Sequence, residues 1–219
     1  MAQFEDAVER LRRGILDGQY QPGEKLSAAT VADALGMSRT PVREAFRILS
    51  KEGLVEFSAN RGARVAILDL SELESIFETR VALESTACRL AAEHVTDDDL
   101  DELQRLAEEI MTLSVANDEA GLALIERANS QFHTRIAEIA GSGALAAAMS
   151  GTVHAAILTR TRQAYDPQAR LRSARHHLEI VEALRAGDGQ WAQAVMTSHL
   201  LAARFALLGA RRGGVDGSD

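Results

Sequence analysis

Only one cysteine, Cys88, stands in the 219 residues of the chain. That excludes a disulfide framework and fits a reducing compartment. Aromatic residues make up 4% of the chain, too few to favour single-stranded nucleic acid binding by base stacking. No apolar run reaches membrane-spanning length, and the first residues lack the pattern of a signal peptide. A cytoplasmic protein with no membrane partner is therefore expected. An excess of positive charge is missing too. A net charge of −8 argues against a protein that coats nucleic acid through bulk charge.

What is present is unevenly placed. The length suits one large domain or two small ones, and a hydrophobic content of 46% is enough for real cores. Residues 1–67 carry a net charge of +1, whereas residues 68–219 carry −9. The second part repels DNA and the first need not, which points to two separate jobs.

The stretch from Gly36 to Val55 reads as a helix with a link before it and a stop after it. Ser38 is placed to cap its N-terminus, Pro41 is tolerated in the first turn, and Gly53 is a stop. Val42, Ala45, Phe46 and Leu49 make one apolar face. Arg39, Arg43, Arg47 and Lys51 recur every four residues on another. Such a helix is suited to a DNA major groove, although a solvated charged face alone would give the same stripe. Its surroundings favour the first reading. Residues 3–18 form an amphipathic helix with Phe4, Val8, Leu11, Ile15 and Leu16 along one stripe. A turn at Tyr20-Gln21-Pro22-Gly23 follows, and Ser27 then caps a short helix containing Val31, Ala32 and Leu35 that Gly36 closes. Two helices joined by a tight turn, the second one basic, is the helix-turn-helix pattern. Two β-prone runs follow, Leu54–Phe57 and Ala63–Leu68, with Ser58-Ala59-Asn60-Arg61-Gly62 between them as a hairpin loop. A hairpin there is a wing, with Arg61 at its tip and Gly62 allowing close approach to a phosphate or a minor groove.

Beyond a linker at 69–71 the pattern is helical throughout. Six helices are expected: about 72–94, 97–116, 119–140, 144–164, one from Asp166-Pro167 to Gly187, and one about 189–209. The tail from Arg211 to Asp219 is Gly-rich and expected to be disordered. The fold is thus mainly α. A winged helix-turn-helix domain of three helices and a hairpin covers residues 1–68, and an all-α bundle of six to seven helices covers 72–210.

Several polar residues fall on the apolar stripes of this bundle. Asn129 and His133 are one turn apart on the third helix, between Ile125 and Ile136. His177 shares a face with Ala174, Val181 and Leu184, and His199 with Val195, Met196 and Ala203. Each alone reads as a core histidine. Together they can converge, as metal sites in helix bundles do. Three imidazoles suit Zn, Ni, Mn or Fe and leave positions open for a ligand. His94 and His154 fit less well, while His176 is a near neighbour that could substitute for His177. On the first helix, Arg80 and Glu84 stand one turn apart on the apolar stripe. They read either as a buried ion pair or as an Arg that clamps a carboxylate. Arg160 and Arg162 could assist as effector-binding residues.

These residues resemble a GntR-family transcription factor of the FadR/FCD group from residue 3 to about 208. The resemblance rests on Pro22-Gly23-Glu24-Lys25-Leu26, on Leu35-Gly36-Met37-Ser38-Arg39-Thr40-Pro41-Val42-Arg43-Glu44-Ala45, on Glu52-Gly53-Leu54-Val55 and on Arg61-Gly62-Ala63-Arg64-Val65. In the second half it rests on Arg80-Val81-Ala82-Leu83-Glu84, Phe132-His133, His177-Leu178-Glu179 and Met196-Thr197-Ser198-His199-Leu200. It implies a homodimer that binds a palindromic double-stranded operator, and a helical domain that senses a small molecule, often a carboxylic acid. It implies DNA contacts by Arg39, Thr40, Arg43 and Arg47 from the recognition helix and by Arg61 and Gly62 from the wing. It maps a divalent transition-metal site to Asn129, His133, His177 and His199, while Arg80 and Arg160 remain the effector-binding candidates read from the helical pattern. Two departures stand out. Ser27-Ala28-Ala29-Thr30 lacks the basic residue many relatives carry before the recognition helix, and Asn129 replaces the usual Asp, a charged and stronger donor. The alternative reading is a metal-dependent hydrolase built on the three histidines, which lacks a general base by helical phase. A milder alternative keeps DNA binding and makes the histidines structural.

Overall fold

The computed structural model describes residues 2–16, 18–58, 62–67, 70–115, 118–152 and 164–215. They form two compact units, one running to Asp69 and the other starting at Leu70.

The first unit contains α1 (Ala2–Leu16), β1 (Lys25–Leu26), α2 (Ala28–Leu35), α3 (Arg39–Lys51), β2 (Val55–Ser58) and β3 (Gly62–Val65). The sequence patterns account for most of this. Val42, Ala45, Phe46 and Leu49 of α3 are fully buried against Leu11 and Ile15 of α1 and Val31 of α2, in one apolar core. Ser27 caps α2 by accepting the Ala29 amide at 3.3 Å. Ser38 does stand at the N-cap of α3, but its side chain makes no capping bond. The reason lies in the sequence. The third residue of the helix is Pro41, so one of the two amides a cap accepts does not exist. At the other end Gly53 takes the left-handed conformation at φ 68°, where a side chain would be strained. The Leu54 amide then bonds Leu49 O and the Gly53 amide bonds Ser50 O, which turns the chain sharply into β2.

The sheet has three strands rather than two, in the order β1-β3-β2, antiparallel throughout. Lys25 pairs with Arg64 and Leu26 with Ala63, so β1 closes the far edge of the expected hairpin. Leu26, Val55, Ala63 and Val65 point into the core. β3 ends at Val65, before the expected Leu68, which lies outside the described residues; its ladder pairs end at Lys25–Arg64 and Val55–Val65.

The second unit contains α4 (Leu70–Ala91), α5 (Asp97–Leu113), α6 (Glu119–Ile139), α7 (Gly143–Thr152), α8 (Pro167–Arg185) and α9 (Gly189–Val215). Its starts are written in the sequence. Thr96 and Asp99 form a reciprocal capping box on α5. Asp166 caps α8 through the Ala169 amide at 2.7 Å, with Pro167 next to it. α9 packs against α4 and α8, α5 against α6 and α8, and α4 against α6. Leu103, Phe132, Ile136, Ile180 and Met196 fill the space between them. Residues 153–163, which cover most of the rest of the helix expected over 144–164, lie outside the described residues.

α9 runs to Val215, where a disordered tail from Arg211 is expected. Ala206, Leu207, Leu208, Ala210, Arg211 and Arg212 are good helix formers with no proline among them. Extending an existing helix is cheap, and Gly209, Gly213 and Gly214 cost about 1 kcal/mol each at most. Among the described residues no helix is long and apolar enough to cross a membrane.

Candidate functional site

The cationic face of α3 is open. Arg39, Thr40, Arg43, Arg47 and Lys51 are all exposed, while the residues between them anchor the helix. Arg47 has a counterweight, since Glu44 accepts from it at 2.6 Å. That sets Arg47 apart from Arg39 and Thr40 at the helix start, where a recognition helix meets base edges. Arg12 of α1 holds the other end of α3, gripping Glu52 with two bonds of 2.6 and 3.0 Å. Arg61, expected at the tip of the wing, lies outside the described residues. Gly62 stands at φ 80° in β3, and a Cβ there would come within 3.0 Å of Leu26 O. The three-stranded sheet by itself therefore requires glycine at this position.

In the second unit the three histidines converge. His133 comes from α6, His177 from α8 and His199 from α9, at 5%, 0% and 4% exposure. Their ring centroids lie 5.7 Å (His133–His177), 5.3 Å (His133–His199) and 4.6 Å (His177–His199) apart. Each can offer a ring nitrogen such that the three lie within 4.8 Å of one another. Phe132 packs edge-on against His177 at 4.8 Å and closes one side. Burial, then repulsion from His133, pushes His177 down to about 3. Burial and the neighbouring imidazoles likewise push His199 well below the ordinary histidine value. Both rings are neutral at physiological pH, and a neutral ring keeps a lone pair.

Those lone pairs lack partners. Both ring nitrogens of His133, Nε2 of His177 and Nδ1 of His199 are buried and form no aligned hydrogen bond. Leaving a buried polar atom unsatisfied costs about 1–3 kcal/mol. Three buried imidazoles that bring ring nitrogens within 4.8 Å of one another are a donor set that fits a divalent transition ion.

The opposite nitrogens of two rings are held. His177 Nδ1 lies 2.8 Å from the Ser173 carbonyl oxygen one turn back. His133 Nδ1 lies 2.6 Å from Oε2 of Glu84. The other oxygen of Glu84 accepts from Nε of Arg80 at 2.6 Å, and both side chains are buried. Burial alone would raise the Glu84 carboxyl, but the charge of Arg80, together with His133, outweighs it and holds it at about 2. Arg80 also rests over the Phe77 ring at 5.3 Å. The Arg80–Glu84 pair is thus an ion pair within α4, and it reaches the cluster as well. Its link to His133 is absent from the sequence pattern, which gives the spacing along α4 but not which helix faces it.

The remaining sequence candidates divide. Asn129 is half-buried, one turn before His133 on α6. His176 does not replace His177. Its ring faces His199 at 5.9 Å and stands outside the group of three, because successive helical residues point about 100° apart. His94 lies beyond the end of α4, beside Gly141. His154, Arg160 and Arg162 lie outside the described residues.

The family model described as "FCD domain" matches residues 75–202, and that described as "Bacterial regulatory proteins, gntR family" matches residues 3–65. The chain belongs to the GntR family. A probable D-xylose utilization operon transcriptional repressor of Paenarthrobacter nicotinovorans is 31% identical over 202 residues, 92% of this chain and 87% of that protein. The HTH-type regulator YdhC of Bacillus subtilis is 30% identical over 124 residues, and this match spans about half of each protein, 57% of this chain and 54% of YdhC. The solved structure of E. coli McbR/YncC superposes with a TM-score of 0.70 at 22% identity, covering 96% of this chain and 98% of that one, and so shares the fold. In this GntR chain the cationic helix lies in the gntR segment, and the histidine cluster lies in the FCD segment.

Proposed function

We propose that this GntR protein is a cytoplasmic, ligand-responsive transcriptional repressor. Residues 1–68 form the DNA-binding domain and 72–210 the effector and dimerisation domain, the expected linker 69–71 overlapping the first two residues of α4. As a homodimer it binds a palindromic operator, with Arg39, Thr40 and Arg43 of α3 at the base edges in the major groove. Arg47 serves as a phosphate contact, and Arg61 and Gly62 reach the minor groove from the wing. His133, His177, His199 and Asn129 hold a divalent transition metal, Zn, Ni, Mn or Fe. When bound, the metal supplies a Lewis-acid position for the carboxylate of a small organic acid. The Glu84 bond takes Nε of Arg80, so a carboxylate would meet the Nη edge of that guanidinium, with Arg160 assisting.

The observation that carries this reading is the convergence of three buried imidazoles whose ring nitrogens come within 4.8 Å of one another. A hydrolase is disfavoured by the same site. The carboxylate that touches the cluster among the described residues is Glu84, and its two oxygens are engaged with Arg80 and His133, which leaves no general base. Effector binding acts as a population shift. It favours a dimer in which the two recognition helices no longer match successive major grooves, through a coupling of roughly 1–3 kcal/mol.

The test begins with selection of a duplex from a random pool and titration of wild type and Arg43→Ala against it. A palindromic site is expected. Arg43→Ala should weaken specific binding by about 1–3 kcal/mol and relax the sequence preference. Unchanged affinity and specificity would remove Arg43 from the base-reading role. Elemental analysis of untagged protein addresses the second half, and below about 0.1 metal per chain, with no uptake of added zinc, the histidines are structural.

A further inference from the structure

We infer that Glu84 is a positioning residue for the histidine cluster, tied to Arg80 by one carboxylate oxygen and holding His133 with its proton on Nδ1 and its Nε2 lone pair toward His177 and His199. The inference deepens the metal reading above and rests on it for its metal-binding half.

The geometry is specific. A wholly buried carboxylate needs partners for its oxygens: Glu84 accepts from Arg80 Nε at 2.6 Å, and its other oxygen lies 2.6 Å from His133 Nδ1, an ion-pair contact that falls short of an aligned hydrogen bond. A neutral imidazole carries one proton for two nitrogens, and the stronger acceptor decides which nitrogen keeps it. The Glu84 carboxylate is that acceptor, because its oxygen lies 2.6 Å from Nδ1 whereas no hydrogen-bond partner lies against Nε2 among the described residues. The Ser173 carbonyl gives His177 the same arrangement at 2.8 Å. His199 differs, because its Nδ1 is itself unbonded. Two of the three rings are thus held from behind, one by a carboxylate and one by the backbone. Groups in this position orient a metal-binding imidazole and raise its basicity, and their loss costs about 10–100-fold in metal affinity. Arg80 has a second part in the same device. Without it Glu84 would be an isolated buried charge.

Two measurements on the full-length protein test this. The first is long-range proton–nitrogen correlation NMR of the histidine rings in metal-free protein. Wild type should show His133 protonated on Nδ1 with a far-downfield proton, and His177 protonated on Nδ1 as an internal reference. The second is zinc affinity by competition with a chromophoric chelator. Glu84→Gln is the minimal change. Because it leaves Arg80 facing an amide, the double change Arg80→Met with Glu84→Met is run beside it, as buried ion pairs often tolerate replacement by apolar residues of similar size. Both variants should lose the Nδ1 preference of His133, keep that of His177, and bind zinc about 10–100-fold more weakly than wild type. A folded double variant with an unchanged His133 spectrum, or with unchanged zinc affinity, overturns the role of Glu84. A wild type that binds no zinc overturns the metal reading instead, and the spectra of the metal-free proteins still decide whether Glu84 sets the tautomer.

Discussion

Asn129 brings an amide to the place one turn before His133, where a carboxylate would bring a charge. In the proposed site an amide in place of a carboxylate would leave more of a divalent ion's charge to be offset by the charged groups around it. Those groups, Arg80 and Glu84, cancel each other. Asn129→Asp changes that balance without changing the shape of the side chain. At 4 Å and an effective dielectric of 20, two unit charges attract by about 4 kcal/mol, and burial of the new carboxylate returns part of that. Because Asn129 is only half-buried, a gain of at least about tenfold in zinc affinity should survive. A chelator competition that finds equal or weaker binding for Asn129→Asp would take position 129 out of the ligand set. The same residue-scale view explains what was legible here. Helical phase marks Asn129, His133, His177, His199 and the Arg80–Glu84 pair as polar groups on apolar stripes. It cannot say that α4 lies against α6, and so cannot give Glu84 its second partner.

Among the elements, those with many periods read well and the short ones do not. The helices α2, α3, α5, α6 and α8 start at cap residues visible in the sequence. β1 has two residues, too few for any alternation, and it exists because Leu26 can pair with Ala63 across an edge that β3 leaves open. Sequence reasoning therefore gives Gly62 a purpose at the DNA, while the sheet gives it a nearer one. Gly62→Ala would put a methyl 3.0 Å from Leu26 O and force φ 80° on a residue with a side chain. The expected cost is about 1–3 kcal/mol of stability in the DNA-binding unit, read as a lower denaturant midpoint. The contrast is with Arg43→Ala, an exposed change that should leave the midpoint within about 0.5 kcal/mol while weakening operator binding. If Gly62→Ala keeps full stability and loses only DNA affinity, then close approach to the nucleic acid, not the β1–β3 pairing, is what requires glycine there.

At the scale of the whole molecule the chain carries two hydrophobic cores, one built by α1 to α3 and the sheet, the other by α4 to α9. The charge division follows the same line, with the acidic share beyond the linker, where it would oppose the phosphate backbone. The histidine cluster ties only one of these cores. It draws on α6, α8 and α9 directly and on α4 through Glu84, four helices far apart in sequence. An ion there binds the folded helical unit and not the unfolded chain, so it should stabilise that unit by mass action. With free zinc at 100 times the dissociation constant the gain is about 2.7 kcal/mol. At this size each kcal/mol raises the midpoint by roughly 2–4 °C, which makes about 5–10 °C between zinc-loaded and chelated protein. The gain must also be local. Amides of α4, α6, α8 and α9 should exchange more slowly with zinc, by a factor approaching 100, whereas those of α1 and α2 should slow far less. Equal slowing in both units would mean that the metal acts on the molecule as one body. No slowing, in protein with measured zinc bound, would place the ion somewhere other than these three imidazoles.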